Sequence, residues 1–170
     1  PERLERDIHA GFAAAERLPD ALVTFGIRPV SPHTGYGYVQ RGDEIGPGVF
    51  AVARFTEKPD AETAARYVLD GRYYWNSGMF VWRADTVLEQ LRLHLPECRD
   101  GVTRIARAWS GGQRDTALRN VDPALPKISI DYAVLERAPR VLVVEMDCSW
   151  VDVGSWAALE SVITPDAHGN

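Results

Sequence analysis

Apolar and polar positions follow two alternating periods along the chain. Leu4, Ile8, Phe12 and Ala15 recur at helical spacing and predict an amphipathic first helix whose apolar face needs a partner. The runs "ALVTFGI" and "VFAVARF" are short and rich in β-forming residues, which is typical of buried strands. The nearly continuous apolar run "RVLVVEMD" predicts a strand in a sheet that is covered on both faces.

Capping residues and breakers predict where further helices begin and end. Asp60 is a predicted N-cap for a helix over "AETAARYVLDG" that Gly71 closes. Asp85 is predicted to cap a helix over "TVLEQLRLHL", which Pro96 ends. Helices are also expected over "GVTRIARAW", "SIDYAVLERA" and, capped by Ser155, "WAALESV", with short strands near 36–40 and 79–82. Strands and helices therefore alternate, which indicates an α/β layered domain.

Composition and charge narrow the class of protein. The chain has 170 residues, 45% of them hydrophobic and 25% charged, which is typical of one globular domain without a second one. The net charge is −5 and no Lys/Arg block occurs, so neither a nucleic-acid partner nor, without a long apolar run, a membrane is expected. Cys98 and Cys148 are interpreted as reduced packing thiols of a cytoplasmic protein. Both ends read as cut, so we expect a piece of a longer protein.

Polar residues cluster in loops that follow predicted strands, where α/β sheets bind ligands. In "FTEKPD", Lys58 offers a cation for a phosphate and Glu57 a carboxylate that accepts hydrogen bonds from hydroxyls. A sugar phosphate would use both groups. The alternative is an exposed, salt-bridged corner of the surface, which contributes little.

Three other positions have a functional and a structural interpretation. Asn76 can bind a hydroxyl through its amide or start a strand with an Asx-turn. Asp152 can bind Mg²⁺, which commonly takes one or two carboxylates plus substrate phosphates, or it can close its own turn. In "HTGYGYV", Gly37 allows close backbone approach, with Tyr36 and Tyr38 available to pack on a sugar; the alternative is a glycine-punctuated hairpin.

Five motifs occur in an order that resembles one family. The chain contains, in sequence, "LVTFGIRPVSPHTGYGYV", "FTEKPD", "YWNSGMFVW", "ISIDYAVLE" and "WVDVGSW". This arrangement resembles the bacterial mannose-1-phosphate guanylyltransferases, within the sugar-1-phosphate nucleotidyltransferases. The resemblance covers nearly the whole chain and implies the C-terminal part of a Rossmann-like domain with a mixed, mostly parallel sheet flanked by helices.

The resemblance also implies an activity and roles for residues. It implies that mannose 1-phosphate and GTP give GDP-mannose and pyrophosphate with Mg²⁺. Glu57 and Asn76 would bind mannose hydroxyls, Lys58 the sugar phosphate, the amide near Gly37 the sugar, and Asp152 the metal. Lys58 and Asp152 would be the catalytic residues. The family's glycine-rich nucleotide-binding signature and its second metal-binding aspartate would lie upstream, so residues 1–170 are expected to form the sugar-phosphate half and to be inactive alone.

Other functions stay open at this stage. The same chemistry with another sugar 1-phosphate, for example glucose 1-phosphate with UTP or dTTP, needs the same residue types. A non-catalytic module that binds a sugar nucleotide would keep the fold and the pocket. A homo-oligomer is compatible with the sequence, which contains no feature that decides the oligomeric state.

Overall fold

The computed structural model describes residues 2–109 and 111–153. The helices are α1 (Glu2–Arg17), α2 (Ala61–Asp70), α3 (Ala84–His94), α4 (Pro96–Trp109) and α5 (Arg114–Val121). The strands are β1 (Leu22–Ile27), β2 (Tyr38–Gly46), β3 (Val49–Thr56), β4 (Tyr73–Val81) and β5 (Val141–Met146). A 3₁₀ turn spans Asp122–Ala124 and a π-helical turn spans Asp131–Leu135.

The five strands form one closed, mixed sheet. The strand order is β1-β4-β2-β3-β5, and β5 pairs back onto β1. The predicted α/β class, with a mixed sheet and flanking helices, is confirmed. The expected predominance of parallel pairing is wrong for the described strands, because only β1 and β5 pair in parallel. A two-residue turn joins β2 to β3, and such a short connection permits only antiparallel pairing.

The strands β1 and β5 are buried on both faces, as the apolar run of β5 predicts. On β1, Val23, Phe25 and Ile27 belong to a core cluster that also contains Ala14 and Ala15 of α1. Leu22 of β1 and Val141 and Val143 of β5 belong to a second cluster, together with the π-helical turn. Successive strand residues point to opposite faces, so a strand covered on both sides is apolar except where a polar side chain has a hydrogen-bond partner.

Several element boundaries differ from the predictions. Pro96 opens α4 instead of only ending α3, because proline fits the first turn of a helix, where its missing N–H is not needed. The helix α5 was not predicted. Asp60 caps α2 as predicted, accepting a hydrogen bond from the Thr63 amide at 2.7 Å. Asp85 lies in the first turn of α3 instead of capping it. The predicted cap Ser155 and the helix after it lie outside the described residues.

The first helix is buried on a different face from the predicted one. Asp7, Gly11, Ala14 and Ala15 are its buried residues, and of these only Ala15 belongs to the predicted apolar face. The Phe12 side chain, on the predicted face, is 53% exposed. Small residues and Gly11 let the helix approach the Phe25 ring, which a Cβ at Gly11 would meet at 2.5 Å. Of the helices described, none has the length and apolar character needed to span a membrane.

Candidate functional site

Several loops and one strand meet in a small cleft of about 260 Å³. All five predicted site residues line it: Gly37, Glu57, Lys58, Asn76 and Asp152. The other lining residues are Gly35, Tyr36, Ser77, Gly78, Asp131 and Trp150. The sequence left open whether "YWNSGMF" reaches the same cleft as the loops. It does, because Asn76 of β4 lines the cleft.

Glu57 and Lys58 differ sharply in their exposure. The Glu57 side chain is only 7% exposed, whereas that of Lys58 is 53% exposed, and their Oε1 and Nζ atoms lie 2.5 Å apart. The hydrogen bond to Glu57 raises the pKa of Lys58, so the ammonium stays charged at neutral pH. The exposed, ion-paired Lys58 fits a surface corner, but the nearly buried Glu57 side chain does not. The pair therefore supports the interpretation of "FTEKPD" as a ligand-binding turn.

The backbone at Lys58 is held in an unfavourable conformation. Its φ is +44°, a value that residues with a side chain rarely adopt. The Glu57 amide donates a hydrogen bond of 3.0 Å to the Glu136 carboxylate, which ties the turn to the end of the π-helical segment. Strained conformations of this kind persist where the surroundings hold them, and they concentrate at functional sites.

Position 37 requires a glycine because the Glu57 side chain lies close to its Cα. A Cβ at this position would lie 2.3 Å from Glu57 Oε2 and 3.5 Å from the Asn76 Cβ. The φ of Gly37 is not positive, so space and not backbone freedom excludes a side chain here. The Gly37 carbonyl accepts a hydrogen bond of 2.8 Å from the Asn76 amide, which joins the glycine loop to β4.

The side-chain amide of Asn76 contacts three neighbours. Its Oδ1 accepts hydrogen bonds from the Thr24 hydroxyl at 2.8 Å and from the Gly78 amide at 3.3 Å. Its Nδ2 donates to Asp131 Oδ1 at 3.1 Å. The side chain of Asn76 is thus fixed in the wall of the cleft, and the Asx-turn and the cleft position occur together.

Aromatic rings close one side of the cleft. Tyr36 stacks on His33 with ring centroids 3.9 Å apart and meets the edges of Trp75 and Trp150 at 5.1 and 5.4 Å. Burial, and secondarily the Asp152 charge, raise the pKa of Tyr36, so its hydroxyl stays protonated at neutral pH. Tyr38, which the sequence offered as a second sugar-packing ring, is fully buried and cannot contact a ligand.

A larger cavity of about 630 Å³ lies between α1, the β2–β3 turn and β5. Its buried acidic residue, Asp7, already accepts hydrogen bonds from the Arg6 guanidinium and from the Asp147 amide. Its polar groups are therefore used within the protein. The convergent polar groups typical of a ligand site lie in the smaller cleft.

Comparison with known proteins identifies the family. Residues 7–168 match the family model described as nucleotidyl transferase. The chain belongs to the nucleotidyl transferase family.

Relatives and a solved structure of the same type agree with this assignment. The chain is 47% identical over 162 residues to the xanthan biosynthesis protein XanB of Xanthomonas campestris pv. campestris (strain ATCC 33913), covering 93% of this chain and 34% of the relative. It is 46% identical to the mannose-1-phosphate guanylyltransferase of Escherichia coli K12, covering 88% and 32%. The crystal structure of a protein named mannose-1-phosphate geranyltransferase, from Thermus thermophilus, matches with a TM-score of 0.80 and 36% identity, over 98% of this chain and 47% of that one. The chain spans about a third of the length of these curated relatives.

The Asp152 carboxylate can supply one ligand to a hard cation. It is exposed in the cleft and offers carboxylate oxygens, which Mg²⁺ prefers. Within residues 2–109 and 111–153, no group of three His, Cys, Asp or Glu side chains could hold a metal ion. This nucleotidyl transferase chain thus fits a metal bound by one of its carboxylates, with the remaining ligands supplied by substrate phosphates, water or other residues.

Three residues of the site were missed by sequence reasoning. Asp131 and Glu136 lie in "ISIDYAVLE", which was recognised only as part of a motif, and Thr24 lies inside an apolar strand. A hydroxyl in an otherwise apolar run was the signal for Thr24. Nothing in the sequence indicated that Asp131 contacts Asn76 and that Glu136 contacts the Glu57 backbone, because both contacts depend on the packing of the π-helical turn.

Proposed function

We propose that this chain forms the sugar-phosphate side of a mannose-1-phosphate guanylyltransferase. The observation that carries the proposal is the meeting of a buried carboxylate, an exposed cation and an amide in one small cleft. A cleft of about 260 Å³ suits one sugar phosphate, whereas typical drug-sized ligands fill larger pockets. The 46%-identical relative named mannose-1-phosphate guanylyltransferase supports mannose 1-phosphate as the substrate and GTP as its partner.

In the proposed reaction, a phosphate oxygen of the sugar phosphate attacks the α-phosphorus of GTP. A new P–O bond forms to the α-phosphorus, and the bond from this phosphorus to the bridging oxygen breaks, so pyrophosphate leaves. The attacking oxygen is already an anion, so no general base is needed. Catalysis then depends on alignment and on neutralising charge.

Each side chain has a distinct part in this proposal. Lys58 carries a stable positive charge and binds the sugar phosphate. Glu57 and Asn76 bind hydroxyls and fix the sugar. Gly37, whose missing side chain leaves room for the Glu57 carboxylate, presents its backbone amide to the sugar. Asp152 holds Mg²⁺, which would screen the phosphate oxygens when bound. GTP as the donor, Mg²⁺ as the ion and the cytoplasm as the location all belong to the proposal.

The test is pyrophosphate release with GTP and Mg²⁺ and either mannose or glucose 1-phosphate. It uses this chain and an extended polypeptide, in which the chain replaces the matching segment of the E. coli relative; that relative unaltered is the control. We expect release from the extended polypeptide with mannose 1-phosphate, and none from the chain alone. A preference for glucose 1-phosphate would mean that glucose 1-phosphate, and not mannose 1-phosphate, is the substrate. An extended polypeptide that is folded but releases no pyrophosphate would contradict the proposed enzymatic activity and favour a module that binds a sugar nucleotide.

A further inference from the structure

The neighbours of the Asn76 side-chain amide determine which of its atoms is the oxygen and which the nitrogen. The Gly78 backbone N–H can only donate, so the atom it contacts at 3.3 Å must be the amide oxygen. The Asp131 carboxylate, when ionised, can only accept, so the atom 3.1 Å from its Oδ1 must be the amide nitrogen. The Thr24 hydroxyl, whose single hydrogen also has the Met79 carbonyl as a more distant acceptor at 3.3 Å, donates to the nearer amide oxygen at 2.8 Å and agrees with both.

These contacts leave one hydrogen-bonding position of the amide unused. An asparagine amide has two N–H donors and an oxygen with two acceptor positions. Thr24 and Gly78 occupy the oxygen, and Asp131 takes one N–H. Within the part of the chain that the structure describes, the second N–H has no partner, and Asn76 lines the cleft. Asn76 therefore offers a donor to a ligand.

The groups that orient Asn76 are themselves rigidly placed. Thr24 is fully buried in β1, where a polar group is costly to bury unless it is hydrogen-bonded. Asp131 opens the π-helical turn, whose Ala133, Val134 and Leu135 are almost completely buried in the second core cluster. The residue after that turn, Glu136, accepts the hydrogen bond from the Glu57 amide at 3.0 Å. One short segment thus contacts both Asn76 and the Glu57 backbone.

We propose that Thr24 and Asp131 are positioning residues that make Asn76 a hydrogen-bond donor towards the sugar. Asn76 then donates a hydrogen bond to a hydroxyl oxygen. The buried carboxylate of Glu57, which also lies beside Gly37, accepts a hydrogen bond from another hydroxyl. The ligand that matches is a sugar phosphate whose hydroxyls meet a donor on one side and an acceptor on the other. This inference rests on the proposed function. Thr24 acts only through Asn76, because it does not line the cleft.

The first test follows the Asn76 amide in the chain as it exists, without any ligand. Nitrogen-15 spectra report the two side-chain N–H groups separately, and one of them is bonded to Asp131. In Thr24→Val, which removes the hydroxyl at almost constant volume, we expect the Asn76 side-chain signals to shift and to exchange faster with water. Thr24→Ser should restore them. The matched control is Thr103→Val in α4, because the Thr103 hydroxyl donates to the Arg99 carbonyl at 2.8 Å and does not line the cleft.

The second test measures kinetics in the extended polypeptide. Loss of one hydrogen bond that orients the amide should raise the KM for mannose 1-phosphate about tenfold in Thr24→Val. Asp131→Ala should raise it at least as much, while the KM for GTP stays unchanged in both variants. Thr24→Ser should recover most of the wild-type KM, and Thr103→Val should equal wild type.

The outcomes separate the two proposals. If the unsubstituted extended polypeptide turns over mannose 1-phosphate and Thr24→Val matches it, the positioning role is overturned and the proposed function stands. The same follows if the Asn76 signals do not change in Thr24→Val. Equal rises in the KM values for both substrates would show general damage to the fold and would also overturn the positioning role. No response of the unsubstituted protein to mannose 1-phosphate overturns the proposed function and, with it, the contact to a sugar hydroxyl.

Discussion

Replacing Gly37 by alanine tests the geometry of the cleft most directly. The new Cβ would lie 2.3 Å from Glu57 Oε2, so the carboxylate must move by about 1 Å before the contact becomes a normal van der Waals one. Glu57 has little room, because its side chain is 7% exposed and is ion-paired with Lys58. The substitution therefore displaces the carboxylate, the ammonium or the loop itself.

The size of the effect follows from the bonds that Glu57 would lose. A hydrogen bond to a charged group contributes about 1.5–3 kcal/mol, and about 1.4 kcal/mol corresponds to a factor of ten. We expect the KM for mannose 1-phosphate to rise about 10- to 100-fold in Gly37→Ala. Folding stability should change less, since overpacking costs about 1–3 kcal/mol while Gly→Ala restricts the unfolded chain and returns about 0.4–1 kcal/mol.

The assay is pyrophosphate release by the extended polypeptide over a range of mannose 1-phosphate concentrations, with urea unfolding of the same variant. The control is Gly111→Ala, because among the described residues a Cβ there meets only the Ala108 carbonyl, at 3.9 Å. We expect the control to match the unsubstituted protein. An unchanged KM in a folded Gly37→Ala variant would refute the placement of the Glu57 carboxylate against Gly37.

Three further predictions concern single side chains. Lys58→Ala should raise the KM for the sugar phosphate and lower kcat, because a charged ammonium on the attacking phosphate is lost; unchanged kinetics would reduce Lys58 to a surface cation. Asp152→Asn should shift the Mg²⁺ titration of activity to higher concentrations, and an identical titration would remove it from the metal site. Asp60→Ala should lower the urea midpoint at pH 7, because the carboxylate caps α2. The hydrogen bond from Thr63 lowers the pKa of Asp60, so this difference should be present above its ordinary pKa and disappear as the pH falls through the lowered value.

Local patterns in the sequence determined the elements and the kinds of chemistry. Apolar runs located β1, β3 and β5; β1 and β5 are buried on both faces, where polar residues need partners. Asp60 and Gly71 marked the ends of α2, because capping depends on a few neighbouring backbone groups. Four of the five predicted cleft residues carry carboxylate, amide or ammonium groups close to predicted strands, and Gly37 lies in a glycine loop.

Only the tertiary structure decided how these pieces meet. The antiparallel character of the sheet depends on which strands pair, and pairing is a long-range choice that periodicity does not encode. The burial of Glu57 beneath Lys58 depends on packing around the turn. The hydrogen bonds of Thr24 and Asp131 to Asn76 join segments that are more than 50 residues apart in the sequence. The sequence by itself therefore specified which groups were available, whereas the exposure, orientation and partners of each group follow from packing between distant parts of the chain.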